Sequence, residues 1–324
     1  MQAAVMQAAA MPAPAMSAGG EPQGAGGRVA AAASAFGRLP PTALMLLAIV
    51  SVQLGSALAT VLFSSLGPTG TAFATSLLSA AALSLLRRPG GRAGAAGGAA
   101  FARLRRHFGL ILLFGLVDSA MVLPFFLALE RIPLGIASTV TFLGPLGLAV
   151  ATSRRVVHFL WIAVAAVGVA LLTPEIASGS GLDPLGLAYA AVAALAWAAF
   201  VPVSKRVGAL FPGNDGLALG LWASAAMLLP LALFERGLFQ AGLADLVGAL
   251  GVSLLGTVLP MALEFRALQS MSARTYGILV TLEPAVGAMV GMLCLGQPAG
   301  PRMVVAVACV MLAALGVTLS DRRE

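Results

Sequence analysis

The chain is 324 residues long, 60% hydrophobic and only 10% charged, against roughly 25% charged in a typical soluble domain. No water-surrounded core buries so large an apolar fraction, so a soluble globular fold is excluded and lipid is the solvent that fits. The net charge of +7 comes without a basic stripe interleaved with aromatics, which argues against a nucleic-acid partner and for basic loops beside a membrane.

Residues 1–37 are rich in Ala, Gly, Met and Pro and show no apolar run bounded by charge of the kind a secretory signal needs. They are expected to form a disordered cytoplasmic tail. Start-codon choice among Met1, Met6, Met11 and Met16, or a short amphipathic surface helix, are the alternatives. Ten apolar runs follow, at about 41–63, 68–86, 108–129, 133–152, 157–173, 184–204, 216–234, 245–265, 275–294 and 301–319. Each is close to the length a helix needs to cross a hydrocarbon core roughly 30 Å thick. Backbone in lipid must satisfy its own hydrogen bonds, so each run is read as a helix. None alternates apolar and polar residues as a membrane β-barrel would. Only Glu130, Arg131 and Ile132 separate the third run from the fourth, which predicts a tight antiparallel hairpin.

Orientation follows from the Lys and Arg bias. With both termini inside, the inside segments hold Arg28, Arg38, Arg87, Arg88, Arg92, Arg103, Arg105, Arg106, Arg154, Arg155, Lys205, Arg206, Arg266, Arg274, Arg322 and Arg323. Only Arg131, Arg236 and Arg302 of the 19 basic residues then fall outside. The opposite orientation inverts the bias and an odd number of spans destroys it. Cys294 and Cys309 lie in apolar runs without disulfide or metal spacing and are expected to be buried packing residues.

Residues 126–145 and 265–284 align at an offset of 139, with Phe126 on Phe265, Ala128 on Ala267, Leu129 on Leu268, Leu143 on Leu282 and Pro145 on Pro284. Five helices per half places the halves in opposite orientations. Inverted repeats with interrupted helices near the midplane recur in transporters, with substrate bound where the halves meet. Pro145 and Pro284 each remove a backbone donor and loosen the helix at matched places.

The motifs Pro133-Leu134-Gly135-Ile136-Ala137, Gly144-Pro145-Leu146 and Ser153-Arg154-Arg155 resemble the fourth helix of the threonine/homoserine exporters, within the EamA-type branch of the drug/metabolite transporter superfamily. The second half agrees through Leu259-Pro260, Leu263-Glu264, Arg274-Thr275, Leu282-Glu283-Pro284-Ala285 and Leu295-Gly296. Ala196-Trp197-Ala198 and Val52-Gln53 with Gly55 fit as well, so the resemblance covers about residues 40–320. It implies an all-α integral membrane protein of ten transmembrane helices in two inverted five-helix repeats, 38–173 and 184–320. It also implies export of small amino acids or related metabolites, driven by the proton gradient across the inner membrane. The chain departs from the exporters at three positions. Thr141 replaces an acid before the Gly-Pro of the fourth helix, Thr75 replaces a base in the second, and Gly296-Gln297 replaces a Gly-Glu. Threonine or homoserine is therefore not transferred directly as the substrate.

Ionisable side chains deep in a membrane are costly and tend to be functional. Glu283 lies about eight residues into its run, roughly 12 Å from the cytoplasmic end, and is the foremost candidate for substrate binding or proton coupling. The structural alternative is an acid held by Arg274, Tyr276 or backbone freed at Pro284. Asp118 lies at similar depth in the third run, where it compensates for the missing acid at Thr141 or is merely structural. Gln53, Ser56 and Thr60 form a polar stripe that lines a cavity or glues helices. Trp197 is expected at the cavity wall, and Thr141 and Tyr276 complete the substrate or coupling candidates. Glu264, Arg274, Pro145 and Pro284 are read as gating or structural. The expected partners are a small molecule, protons and the bilayer, with a second copy of the chain left open. No cofactor or metal is expected. An exporter of another metabolite or drug, a membrane-embedded enzyme and a non-transporting sensor are the competing readings. The enzyme reading is weakest, because His107 and His158 sit at the boundaries beside arginines and no nucleophile–base pair or metal spacing appears.

Overall fold

The computed structural model describes residues 39–85, 102–151, 157–171, 183–211, 214–235, 237–268, 270–271, 273–298 and 300–320. The expected tail over residues 1–37, the loops carrying Arg87–Arg92 and Arg154–Arg155, and the side chain of Arg274 lie outside the described residues. Among the described residues every regular element is a helix and there is no strand.

The first two expected spans form one element, α1 (Pro41–Leu85), broken at Gly67, where φ is 70° and ψ is 165°. Glycine adopts that φ at little cost, and Pro68 then opens the second arm with its φ already set and no N–H to satisfy. The Gly70 N–H donates to Glu235 Oε2 at 3.0 Å, so a carboxylate from the end of another helix caps this arm. The hairpin expected around Glu130–Ile132 joins α2 (Phe108–Leu129) to α3 (Leu134–Ala151). After α4 (Val157–Ala170) come α5 (Pro184–Leu210) and α6 (Asp215–Phe234). Helix α5 starts at a proline and is capped by Asp183, whose Oδ1 accepts from the Leu185 N–H at 2.8 Å.

The short α7 (Gly237–Gln240) leads into α8 (Leu243–Ser253), which passes through a π-turn at Leu254–Val258 into α9 (Leu259–Leu268). The single run expected over 275–294 is two helices, α10 (Ala273–Val280) and α11 (Glu283–Leu295). Pro284 thus stands in the first turn of a new helix, whereas Pro145 lies inside the continuous α3. The last element is α12 (Pro301–Ser320). By length and composition six stretches suffice to cross a membrane: α1, α2, α5, α6, Leu243–Glu264 and Ile278–Leu295. Leu134–Leu148 and Pro301–Gly316 are apolar but shorter.

The packing inverts that of a soluble protein. Large side chains such as Leu195, Phe234 and Leu293 are exposed, while Ala48, Ala59, Ala128, Ala190, Ala232 and Ala313 are buried. Small residues let helix backbones approach closely, which is how helices associate in lipid. A Cβ added at Gly55 would sit 2.6 Å from the backbone N of Gly256, and one at Gly144 would collide with the carbonyl of Ala194. Cys294 is exposed and Cys309 partly so, which corrects the expectation that both are buried.

The turns after the first arm of α1 and after α2 share one end of the bundle, where Phe63 and Phe126 meet with ring centroids 5.7 Å apart. At the second of these turns Gln297 Oε1 accepts from the Leu134 N–H at 2.9 Å and Arg131 Nη1 donates to Asp183 Oδ2 at 2.6 Å. The Arg131 guanidinium holds the Asp183 carboxyl below its ordinary range. The start of α1 forms a separate contact: Leu44, Met45 and Ile49 cluster with Leu263, Ala267 and Tyr276.

Candidate functional site

Between these two contact regions lies a cavity of about 300 Å³, at the small end of ligand pockets. Its wall is built from short polar patterns on several helices. On α1, Gln53 and Ser56 are one helical turn apart and both face it. Thr60 does not: its hydroxyl donates to the Ala57 carbonyl at 2.7 Å. The second arm of α1 contributes Thr75, Ser76 and Ser79, α2 contributes Asp118, and α3 contributes Ser138 and Thr141. Trp197 and Phe200 of α5 face it with Phe125 and Phe126 of α2. Trp197 packs edge-on against Phe142.

From the second half come Thr257 and Pro260 beside the π-turn, then Glu264, then Glu283 at the start of α11. The π-turn puts one extra residue into the helix, which disturbs the regular ladder and is often found at functional sites. Beside it, Ser51 Oγ donates to the Leu255 carbonyl at 2.7 Å, and Ser79 and Ser253 hydroxyls meet at 2.9 Å. Hydroxyl groups therefore tie α1 to the irregular segment from both arms.

The structure brings Gln53, Ser56, Asp118, Thr141, Trp197, Glu264 and Glu283 to one cavity. Tyr276 is placed differently from the expectation of a substrate contact. It is buried outside the cavity wall, and its OH donates to Glu264 Oε2 at 3.3 Å. Pro145 and Pro284 also lie off the wall, and Pro284 shapes it by starting the helix that presents Glu283. Sequence reasoning missed Ser138, which donates to Gln53 Oε1 at 3.3 Å while Gln53 Nε2 donates to the Glu283 carbonyl at 3.3 Å. Gln53 thus bridges α1, α3 and α11. The signal for Ser138 was its position one turn before Thr141 on the same helix.

The cavity's electrostatics are one-sided. Asp118, Glu264 and Glu283 line it, and no Lys, Arg or His does. Asp118 and Thr141 are each only 4% exposed, and Asp118 Oδ2 and Thr141 Oγ lack hydrogen-bond partners. Unsatisfied buried polar atoms are costly unless a ligand or water completes them. Among the described residues no three His, Cys, Asp or Glu side chains are grouped to hold a metal ion. An enclosed acidic site with aromatic walls is chemically suited to protons and to organic cations.

Residues 184–319 match the EamA-like transporter family. The threonine/homoserine exporters RhtA of Escherichia coli (strain K12) and of Salmonella typhimurium (strain LT2) are each 32% identical to this chain over 284 residues. The match covers 88% of this chain and 93% of each exporter. A solved crystal structure, 19% identical, superposes on 87% of this chain and 99% of its own with a TM-score of 0.53, a likeness of fold alone.

Proposed function

We propose that this chain, which belongs to the EamA-like transporter family, exports small amine-bearing metabolites, amino acids of the threonine and homoserine type first among them, in exchange for protons across the inner membrane. The single observation that carries the reading is the enclosed cavity lined by three carboxyl groups and no base. Such a cavity is occupied by a proton or by a cationic group, and exchange of one for the other couples the two fluxes. Glu283 is the coupling residue in this reading, because it stands at the helix break between α10 and α11 and its backbone is held by Gln53. Glu264, backed by the Tyr276 hydroxyl, serves as a gate or as a relay for the proton.

The same reading takes the fold as ten helices in two inverted repeats, 38–173 and 184–320, with both termini cytoplasmic. The family match over residues 184–319 alone supports treating each half as a unit. Two helix crossings support it further. Gly144 lies against the Ala194 carbonyl, and the Glu283 carbonyl lies against Gln53 of α1. Gly144 and Glu283 are separated by the same offset of 139 residues that relates the two halves. The departures at Thr75 and Thr141 keep exporters of other metabolites on the same fold as the second reading. The test is proton-driven efflux from everted vesicles or proteoliposomes. Glu283→Gln should insert normally and lose pH-driven efflux, and retained coupling in that variant removes Glu283 from the mechanism.

A further inference from the structure

Resting on the export reading, we infer that the cavity recognises an organic ammonium that carries no free carboxylate, with Asp118 Oδ2 as its seat and Thr141 as a hydroxyl contact.

A zwitterionic amino acid brings two charges into a membrane site, and each needs a partner. The ammonium is provided for, by Asp118, Glu264 and Glu283. The carboxylate is not, because the wall holds no Lys, Arg or His. The remaining device for holding a carboxylate at mid-membrane is a helix N-terminus. The helix that starts at this cavity is α11, and its first turn already contains the acid Glu283 and a proline without an N–H. A free carboxylate in the cavity would therefore meet three carboxyl groups and no cation.

The second observation is independent of that charge count. Asp118 is almost fully buried on α2, its Oδ2 has no partner, and it lines the cavity. Thr141 on α3 is equally buried, equally unpartnered and lines the same cavity. An ammonium bearing three N–H donors satisfies the carboxylate oxygen, and the threonine hydroxyl both accepts and donates toward a polar ligand group. Phe125, Phe126, Trp197 and Phe200 supply aromatic surface, which favours a partly desolvated cation. Amino alcohols, amino-acid amides or esters and small diamines meet these demands within about 300 Å³.

The experiment compares three probes on the full chain in lipid nanodiscs, by isothermal titration and by tryptophan fluorescence. Threonine carries both charges, threoninol keeps the ammonium and loses the carboxylate, and N-acetylthreonine keeps the carboxylate and loses the ammonium. Threoninol should bind at least about tenfold more tightly than threonine, and N-acetylthreonine should not bind. Asp118→Asn should weaken threoninol binding by about tenfold or more and Thr141→Val by less. Thr141→Val, close in shape to the parent, carries the test if Asp118→Asn does not fold. Threonine binding as well as threoninol, binding of N-acetylthreonine, no binding of any probe, or threoninol affinity unchanged in a folded variant would each overturn the inference. Efflux measured in parallel separates the two readings. Threonine efflux with the wrong order of affinities ends this inference and leaves export standing. Absence of both threonine and threoninol efflux from correctly inserted protein ends the amine-export reading as well.

Discussion

In α3, Pro145 lies within an unbroken helix, whereas in the second half its counterpart Pro284 begins a new helix after α10 has ended. The motifs are otherwise alike: a proline follows Gly144 in one and Glu283 in the other. In the first half the small residue lets α3 press on the Ala194 carbonyl of α5. In the second half the acid faces the cavity and the exposed backbone carbonyl is taken up by Gln53. One helix is committed to packing, while the other gives up continuity to present a charge. Matched sequence in two repeats therefore does not fix matched conformation, because the residue before the proline decides what the neighbouring helix can offer.

The contrast is most directly broken at Glu283. Efflux in Glu283→Gln is expected to fall to the background of empty vesicles, with the protein still extracted at its normal level. Next come the two prolines. Pro284→Ala restores an N–H where the ladder is interrupted and lets α10 and α11 approach one continuous helix. Efflux should then fall by about tenfold, equivalent to a barrier change near 1.4 kcal/mol. Pro145→Ala, in a helix already continuous, should change efflux by less than about twofold. Equal effects from the two would mean that the break in the second half has no role in transport. The packing side of the comparison is tested by Gly144→Val. Its side chain meets the Ala194 carbonyl, and overpacking of this kind destabilises by about 1–3 kcal/mol, readable as a lower melting temperature in detergent. The smallest effect is expected at the rim of the bundle. Arg131→Ala removes an exposed ion pair with Asp183, so stability should hardly change. Because Asp183 titrates below its ordinary range, what this pair contributes is present at neutral pH. It is lost as pH falls through that depressed value, so the mutant and the parent should converge in strong acid.

Much of the helical architecture was legible because lipid imposes a simple rule, a long apolar run closed by charge, Gly or Pro. The boundary at Gly67-Pro68 could be read from those two residues. The break at Thr281–Leu282 was not read, because the apolar run continues through it. The available sign was Pro284, which disfavours helix in the residue before it. Within the site, Asp118, Glu283 and Trp197 stood out as costly or unusual residues at depth, and all three line the cavity. The role of Gln53 as a bridge was not legible. Its partners Ser138 and the Glu283 carbonyl are 85 and 230 residues away in sequence, and only tertiary packing joins them. Tyr276 was read as a substrate contact because it lies near Glu283 in sequence. Its side chain is instead turned to Glu264 behind the wall.

The π-turn at Leu254–Val258 has a consequence for how this protein changes over generations. A helix advances about 100° per residue, so one extra residue sets the facing of everything that follows. Deleting a single residue there would restore an ordinary helix, leave hydropathy untouched and rotate Pro260, Met261 and Glu264 off the cavity that they now line. A descendant with that deletion would insert, fold and keep its family signature, yet would have lost part of its binding wall. At this place, the length of the chain is itself an inherited functional trait.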